Sequence, residues 1–167
     1  MRGYYTGVGS RNTPVDVLNT MERLAGFYYE RGWYLRSGAA LGADSAFEDG
    51  AGTHKEIYTI RVKSFVHPDL YQKAFSIAAK THPVWNRIPD RARELHTRNV
   101  FQVLGKDLNT PSSFLICWTP DGCISHETRT RATGGTGTAI SVADIAGIPI
   151  LNLSRPDHLW KASLVLK

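Results

Sequence analysis

The chain has few cysteines and no long apolar run, and both features exclude certain classes of protein. Cys117 and Cys123 are its only cysteines, so they form no disulfide framework, and no second Cys or His pair completes a zinc pattern. No segment approaches the roughly 18 apolar residues of a membrane span, and the first residues lack the apolar core of a secretion signal. We therefore expect a cytoplasmic protein without a metal, a cofactor or a membrane partner.

Length and composition indicate one globular domain with a basic surface. The 167 residues fit a single domain, residues 1–167. The apolar content of 42% and the charged content of 21% are ordinary for a soluble protein. A formal net charge of +5 favours polyanionic partners, although the charges are dispersed along the chain. The sequence shows no repeat and leaves the oligomeric state open, a homo-oligomer included.

Short apolar runs alternate with helical stretches along the whole chain. Five runs are typical of strands, at residues 4–8, 33–36, 55–62, 114–118 and 148–153. Helical spacing follows most of them, and two helical stretches form an insert at about 63–108. Because strands that alternate with helices form parallel sheets, the pattern predicts an α/β fold. We expect a Rossmann-like three-layer α/β/α domain with a mainly parallel sheet of about five strands.

Three glycine-rich turns each follow a predicted strand and precede a predicted helix. The first turn is at residues 7–11, the second at 37–44 and the third at 134–138. A helix N-terminus has unsatisfied N–H groups and a partial positive charge, and glycines let a phosphate approach the backbone closely. Ligands of parallel sheets bind beyond the carboxyl ends of the strands. The three turns therefore predict a surface that binds nucleotides or nucleic acid.

The residues of these turns resemble the DprA-like domains of the SLOG superfamily. That group of Rossmann-like domains includes the DNA-processing protein DprA and the LOG phosphoribohydrolases. DprA-like domains carry a Gly-Ser-Arg after the first strand, which Gly9-Ser10-Arg11 matches, and a Ser-Gly-x-Ala-x-Gly-x-Asp turn, which residues 37–44 match. Arg98-Asn99 and the third turn complete the resemblance, which spans about residues 3–153. The insert at 63–97 and the lack of a second domain depart from the pattern of full-length DprA proteins.

The resemblance implies that the glycine-rich crest of the sheet binds a nucleotide, a nucleotide-derived ligand or single-stranded DNA through phosphate contacts. The matched positions and the charged residues near the turns give the candidate ligand-binding residues. They are Gly9, Ser10, Arg11, Ser37, Gly38, Gly42, Asp44, Arg98, Asn99, Trp118, Arg129, Arg131, Gly134, Gly135, Thr136, Gly137 and Thr138.

Several of these residues have an ordinary structural interpretation as well. Ser37 and Asp44 are residue types that often stabilise turns and cap helices. Arg98 lies in a predicted helix, where an ion pair with Glu94 four residues earlier competes with ligand binding. Both interpretations stay open at these positions.

A structural and a ligand-binding interpretation also stay open for residues around the third turn and the central strand. Arg129 and Arg131 precede the glycines directly, so they are candidates for a phosphate clamp, or else solvated charges of a loop. Trp118 ends the most strand-like run, where it either stacks on a base or completes the core.

The hydrolase branch of the superfamily is tested by the residues after the third turn. LOG enzymes carry the motif Pro-Gly-Gly-x-Gly-Thr-x-x-Glu, which residues 133–141 resemble. Here Thr133 stands at the proline position and Ser141 at the glutamate position. A serine cannot replace a carboxylate that stabilises positive charge or activates water. We therefore expect a binding protein rather than an enzyme. The alternative is a nucleotide N-glycosidase in which Glu127 or Asp121 supplies the carboxylate.

Overall fold

The computed structural model describes residues 1–167 and contains five strands and six α-helices. The strands are β1 (Gly3–Gly7), β2 (Trp33–Ser37), β3 (Lys55–Ile57), β4 (Leu115–Cys117) and β5 (Ile150–Asn152). The helices are α1 (Val15–Glu30), α2 (Ala43–Gly50), α3 (Pro68–Thr81), α4 (Asp90–Leu104), α5 (Gly137–Ile145) and α6 (Pro156–Val165). None of these helices has both the length and the apolar character needed to cross a bilayer.

All five strands run parallel in one sheet with the order β3-β2-β1-β4-β5. The prediction of a Rossmann-like three-layer α/β fold is confirmed, and the sheet is parallel throughout. The chain proceeds from β1 outwards to β3 and then crosses to β4 on the other side of β1. The strand order therefore reverses between β1 and β4, which is the position where open α/β sheets bind ligands.

Two hydrophobic clusters cover the two faces of the sheet. One cluster packs α3, α4 and α5 against the sheet, and the other packs α1, α2 and α6 against the opposite face. Strand β4 contributes residues to both clusters, because Leu115 and Cys117 belong to the first cluster and Ile116 to the second. This alternation is what a strand buried on both faces requires.

The third strand is shorter than its apolar pattern predicts. The expected strand over residues 55–62 is wrong beyond Ile57, because a 3-10 turn follows at Ile60–Ser64. The Thr59 side chain caps this turn by accepting a hydrogen bond from the Arg61 N–H at 3.2 Å. Val62 is fully buried within the turn. Its apolar character therefore reflects burial in a turn rather than strand pairing.

The helical insert is built into the domain rather than attached to its surface. It consists of α3, a 3-10 turn at Trp85–Arg87 and α4. The Thr6 hydroxyl of β1 donates a hydrogen bond to the backbone carbonyl of Gln102 in α4 at 2.7 Å. This buried bond fixes the second half of α4 against the central strand, beside the carboxyl ends of β1 and β2.

Candidate functional site

A cavity of about 450 Å³ lies where the strand order reverses. Its walls come from the first, second and third turns, from α4 and from the loop that follows β4. Small-molecule sites of proteins typically have volumes of roughly 300–1,000 Å³. The size and the position are therefore those of a site for one small ligand.

The structure brings about half of the predicted site residues together in this cavity. Those that line it are Gly9, Ser10, Arg11, Asp44, Arg98, Asn99, Gly134, Gly135 and Thr136. The remaining candidates lie outside its lining: Ser37, Gly38, Gly42, Trp118, Arg129, Arg131, Gly137 and Thr138. All three glycine turns thus contribute to one site, but not with every residue.

The first and second turns are in direct contact through their glycines. Gly42 has φ +86°, and a Cβ atom there would lie 2.9 Å from Arg11 Cα and 2.9 Å from the Ser10 carbonyl oxygen. A Cβ atom on Gly9 would lie 2.7 Å from Ala43 Cβ. Both glycines are required because the backbones of the two turns pack against each other.

The side chains of the second turn hold the turn itself. Ser37 donates a hydrogen bond to the Gly7 carbonyl at 2.7 Å, which joins the ends of β2 and β1. Asp44 Oδ2 accepts hydrogen bonds from the N–H groups of Gly38 at 3.2 Å and Ala40 at 3.4 Å. Burial raises the pKa of Asp44 to about 6, although Arg98 and these hydrogen bonds oppose the shift. Asp44 therefore organises the turn and also presents a buried carboxyl group to the cavity.

Two neighbouring residues of α4 connect the helix to the second and third turns. Arg98 donates hydrogen bonds to the carbonyl oxygens of Gly38 at 2.5 Å and Tyr58 at 3.0 Å. Asn99 donates a hydrogen bond through Nδ2 to the Gly135 carbonyl at 2.9 Å. Helix α4 therefore forms the wall of the cavity that joins the two turns.

The ion pair considered for Arg98 does not form. Glu94 pairs instead with Lys63, at 2.8 Å between the carboxylate oxygen and Nζ. Burial lowers the pKa of Arg98, while the charges of Asp44 and Glu48 raise it. Arg98 thus turns inwards to the second turn rather than along the surface of α4.

Two of the three glycines of the third turn, Gly134 and Gly135, face open space. Gly134 has φ +66°, a value that favours glycine, and a Cβ atom on either Gly134 or Gly135 would meet nothing within 4 Å. Gly135 has no positive φ, so neither packing nor conformation requires a glycine there. The turn leads directly into α5, and at the junction the Gly137 N–H donates a hydrogen bond to the Gly134 carbonyl. A helix start with an accessible glycine backbone is a suitable site for an anion.

Arg129 holds the third turn from beneath and does not reach the cavity. Its guanidinium donates hydrogen bonds to the Thr81 carbonyl at 3.0 Å, to the Thr138 hydroxyl at 3.2 Å and to the Ser141 hydroxyl at 3.4 Å. A Cβ atom on Gly137 would lie 2.3 Å from Arg129 Nε. Gly137 is therefore a glycine because the guanidinium packs against it.

Two further candidates lie beside the cavity. Trp118 packs against the cluster formed with α1, α2 and α6, as expected for an aromatic residue that completes a core. Arg131 is exposed and begins the 3-10 turn Arg131–Thr136.

The two alternative catalytic carboxylates are also outside the lining of the cavity. Asp121 Oδ2 accepts hydrogen bonds from the hydroxyls of Thr130 at 2.7 Å and Thr133 at 2.5 Å. Burial raises the pKa of Asp121, but hydrogen bonds from these hydroxyls, the Thr119 hydroxyl and the Cys123 N–H together lower it more, so the net shift is downward. Glu127 is exposed on the same loop. Asp121 therefore supports the start of the third turn.

Sequence reasoning missed two polar residues of α4 that line the cavity, His96 and Gln102. His96 Nδ1 forms a hydrogen bond with the Thr138 hydroxyl at 2.7 Å, and burial lowers the pKa of His96 to about 4. Gln102 is only 1% exposed. The available signal was spacing, because Gln102 follows Arg98 by four residues and therefore lies on the same helix face.

The chain contains no group of three or more His, Cys, Asp or Glu residues that could hold a metal ion. Comparison of the chain with protein-family models, with curated proteins and with solved structures finds no match. The resemblance to the SLOG superfamily therefore rests on the motif residues and stays a prediction.

Proposed function

We propose that the protein binds a nucleotide or a nucleotide-derived ligand, whose phosphate group contacts the backbone of the third turn. The observation that carries this proposal is Gly135, a glycine that lines the cavity and that the fold itself does not require. A side chain at this position would project into open space at the start of α5. Close approach of a ligand phosphate to the backbone accounts for the glycine.

The charges at the cavity support a phosphate in this place. Arg11 is exposed and lines the cavity, so its guanidinium is available for a charge-assisted hydrogen bond to a phosphate oxygen. The net charge of +5 attracts anions towards the protein. Asp44 lies in the second turn, and its carboxyl group suits a sugar hydroxyl better than a phosphate.

A small nucleotide fits the cavity better than single-stranded DNA. Proteins that hold single strands without sequence preference stack successive bases on aromatic side chains in a charged groove. No Trp, Tyr or Phe side chain lines this cavity, and Trp118 packs into the core. The cavity is therefore suited to one nucleotide unit.

The positions of the carboxylates favour binding without hydrolysis. Asp44 is the one carboxylate that lines the cavity. Its Oδ2 already accepts two backbone hydrogen bonds that hold the second turn. The position that carries the glutamate in LOG enzymes is Ser141, which is fully buried and bonded to His126 at 2.9 Å.

Calorimetric titration with nucleoside monophosphates, inorganic phosphate and a single-stranded oligonucleotide tests the proposal. We expect one-to-one binding of a nucleoside monophosphate and at least a tenfold loss of affinity in Gly135→Val. Gly26→Ala is the matched control, because its Cβ would have its nearest neighbour at 3.9 Å and lies in α1, away from the cavity.

The salt dependence of binding separates the two ligand classes. A single strand that contacts several phosphates loses affinity with a log–log slope of about −0.7 per phosphate, whereas one nucleotide gives a shallow slope. A steep slope would favour DNA as the ligand. The proposal fails if the panel does not bind, or if Gly135→Val binds as tightly as the wild type.

A further inference from the structure

His96 lies in the wall of the cavity with one ring nitrogen bonded and the other free. The residue is 9% exposed and is among those that line the cavity. Its Nδ1 forms a hydrogen bond with the Thr138 hydroxyl at 2.7 Å. Its Nε2 has no partner within the protein and keeps accessible surface, so it is not enclosed by protein atoms. The fold therefore uses one nitrogen of this ring and leaves the other for a ligand.

The hydroxyl of Thr138 determines which ring nitrogen carries the proton. Thr138 is fully buried, and its hydroxyl has two partners, His96 Nδ1 at 2.7 Å and Arg129 Nη2 at 3.2 Å. An arginine only donates hydrogen bonds, so the one acceptor for the hydroxyl proton is the imidazole Nδ1. A neutral imidazole that accepts at Nδ1 carries its own proton on Nε2. The free nitrogen of His96 is therefore an N–H donor.

The surroundings of His96 keep this imidazole neutral. Burial, followed by the neighbouring His82, Arg129 and Arg98, lowers its pKa to about 4. At neutral pH the ring thus offers one fixed donor rather than a positive charge. A polar group that is largely removed from water and has no partner costs free energy, and an acceptor atom of a ligand would remove that cost.

His96 lies on the side of the cavity that the third turn forms. Thr138 is the last residue of that turn, and Asn99 of α4 bonds to the Gly135 carbonyl in the same turn. Residues three apart in a helix share one face, so His96 and Asn99 both flank the turn. Oxygens of an ionised phosphate accept hydrogen bonds. The Nε2–H donor and the backbone of the third turn therefore complement the same group.

We propose that His96 is a ligand-binding residue whose neutral Nε2–H donates a hydrogen bond to a phosphate oxygen of the bound nucleotide. The inference rests on the proposed function, because it adds a side chain to the phosphate site of the third turn. Arg129 is a positioning residue in this arrangement. It holds the Thr138 hydroxyl, which in turn orients the imidazole, and it does not touch the ligand itself.

Two substitutions at His96 separate the roles of the two ring nitrogens. In His96→Asn the amide ends at the level of Nδ1, so it still accepts from Thr138 but does not reach the position of Nε2. In His96→Gln an amide N–H reaches the position of Nε2, and the acceptor for Thr138 is lost. His67→Asn is the control, because His67 is exposed at the start of α3 and its Nδ1 accepts from the Asp69 N–H, a role that asparagine also fills.

Calorimetric titration with AMP and with inorganic phosphate measures the affinities. We expect His96→Asn to bind both ligands roughly tenfold more weakly than the wild type, because a hydrogen bond to a charged oxygen is lost. His96→Gln should stay within about threefold of the wild type, because the donor is replaced. Its thermal midpoint without ligand should fall, since the Thr138 hydroxyl loses its acceptor. A histidine that only supported Thr138 would leave the affinity of His96→Asn at the wild-type value.

The position of the proton gives a second measurement that needs no substitution. Long-range proton–nitrogen NMR spectra of the wild type should show His96 with a protonated Nε2 and an unprotonated Nδ1. Saturation with inorganic phosphate should shift the Nε2–H resonance of His96. The resonances of His67, which lies away from the cavity, should not move.

The outcomes distinguish the two proposals. The assignment of His96 is overturned, and the phosphate site of the third turn stands, if the wild type binds AMP and phosphate but His96→Asn binds them equally tightly. A proton on Nδ1, or an Nε2–H resonance that does not respond to saturating phosphate, overturns it as well. If neither ligand binds to the wild type, the proposed function fails, and the role of His96 fails with it.

Discussion

The second and third turns contain similar numbers of glycines but use them for opposite purposes. In the second turn, Cβ atoms on Gly38 and Gly42 would collide with neighbouring atoms at 1.8 Å and 2.9 Å. In the third turn only Gly137 is packed, against the Arg129 guanidinium, whereas Cβ atoms on Gly134 and Gly135 would meet nothing within 4 Å. The second turn is glycine-rich because other parts of the protein pack against it. The third turn is glycine-rich and leaves its backbone accessible.

The polar side chains of the two turns follow the same division. Ser37 and Asp44 form their hydrogen bonds within or next to the second turn. Around the third turn, Arg129 and Asp121 support the turn from positions outside the cavity. A glycine-rich motif therefore identifies a place where backbone comes close to something, and only the surroundings show whether that is protein or ligand.

The largest expected effect is on the stability of the second turn. Gly42→Ala introduces both an unfavourable positive φ and a contact with the Arg11 backbone, so it should lower the free energy of unfolding by about 3 kcal/mol. Gly135→Ala meets neither obstacle and should change it by less than about 0.5 kcal/mol. Urea denaturation of both variants measures the difference. Equal losses of stability would remove the distinction between the turns.

The next effect is a pH dependence in which Asp44 and His96 oppose each other. The folded protein raises the pKa of Asp44 from 3.8 to about 6 and lowers that of His96 from 6.5 to about 4. Between pH 4 and 6, the folded state keeps a proton on Asp44 that the unfolded chain releases, so this contribution to stability falls as pH rises. In the same range the unfolded chain binds a proton on His96 that the folded state does not bind. The contribution of His96 to stability therefore rises with pH.

Each contribution is about 2–3 kcal/mol, and the two largely cancel in the wild type. Relative to the wild type, Asp44→Asn should therefore gain stability as pH rises from 4.5 to 6.5, and His96→Gln should lose it. Urea denaturation at several pH values gives both slopes. A variant that follows the wild-type slope would show that its side chain titrates normally in the folded protein.

The smallest expected effect concerns Ser37. Ser37→Ala removes one buried hydrogen bond to the Gly7 carbonyl and should lower the free energy of unfolding by about 1 kcal/mol. Nucleotide affinity should not change, because Ser37 does not line the cavity. Ser163→Ala, which removes an exposed hydroxyl of α6, is the control. A selective loss of affinity in Ser37→Ala would mean that the second turn also contacts the ligand through this hydroxyl.

The fold was largely predictable from the sequence because its signals are local. Apolar runs and glycine-terminated helices mark four of the five strands within one or two residues of their ends. The predicted third strand was too long, because Val62 is apolar since it is buried in a 3-10 turn, not because it belongs to a strand. Apolar character alone does not distinguish these two environments.

The site was predictable only in part because side-chain direction is a property of the folded molecule. Arg11 and Arg129 look alike beside their glycine turns, yet one lines the cavity and the other is half-buried outside it, bonded to Thr81 and Thr138. Gln102 lies among apolar residues of α4, so its sequence context indicates a core position. That this residue also lines the cavity is visible only once the second turn is packed against it.

Helix α4 has a mechanical consequence for the whole site. Its consecutive residues Arg98 and Asn99 are bonded to Gly38 of the second turn and to Gly135 of the third turn. Neighbouring Cα atoms are about 3.8 Å apart and cannot separate. The helix thus holds the second and third turns at a fixed separation before any molecule enters. A pocket that keeps its shape in this way loses less conformational freedom when it is filled.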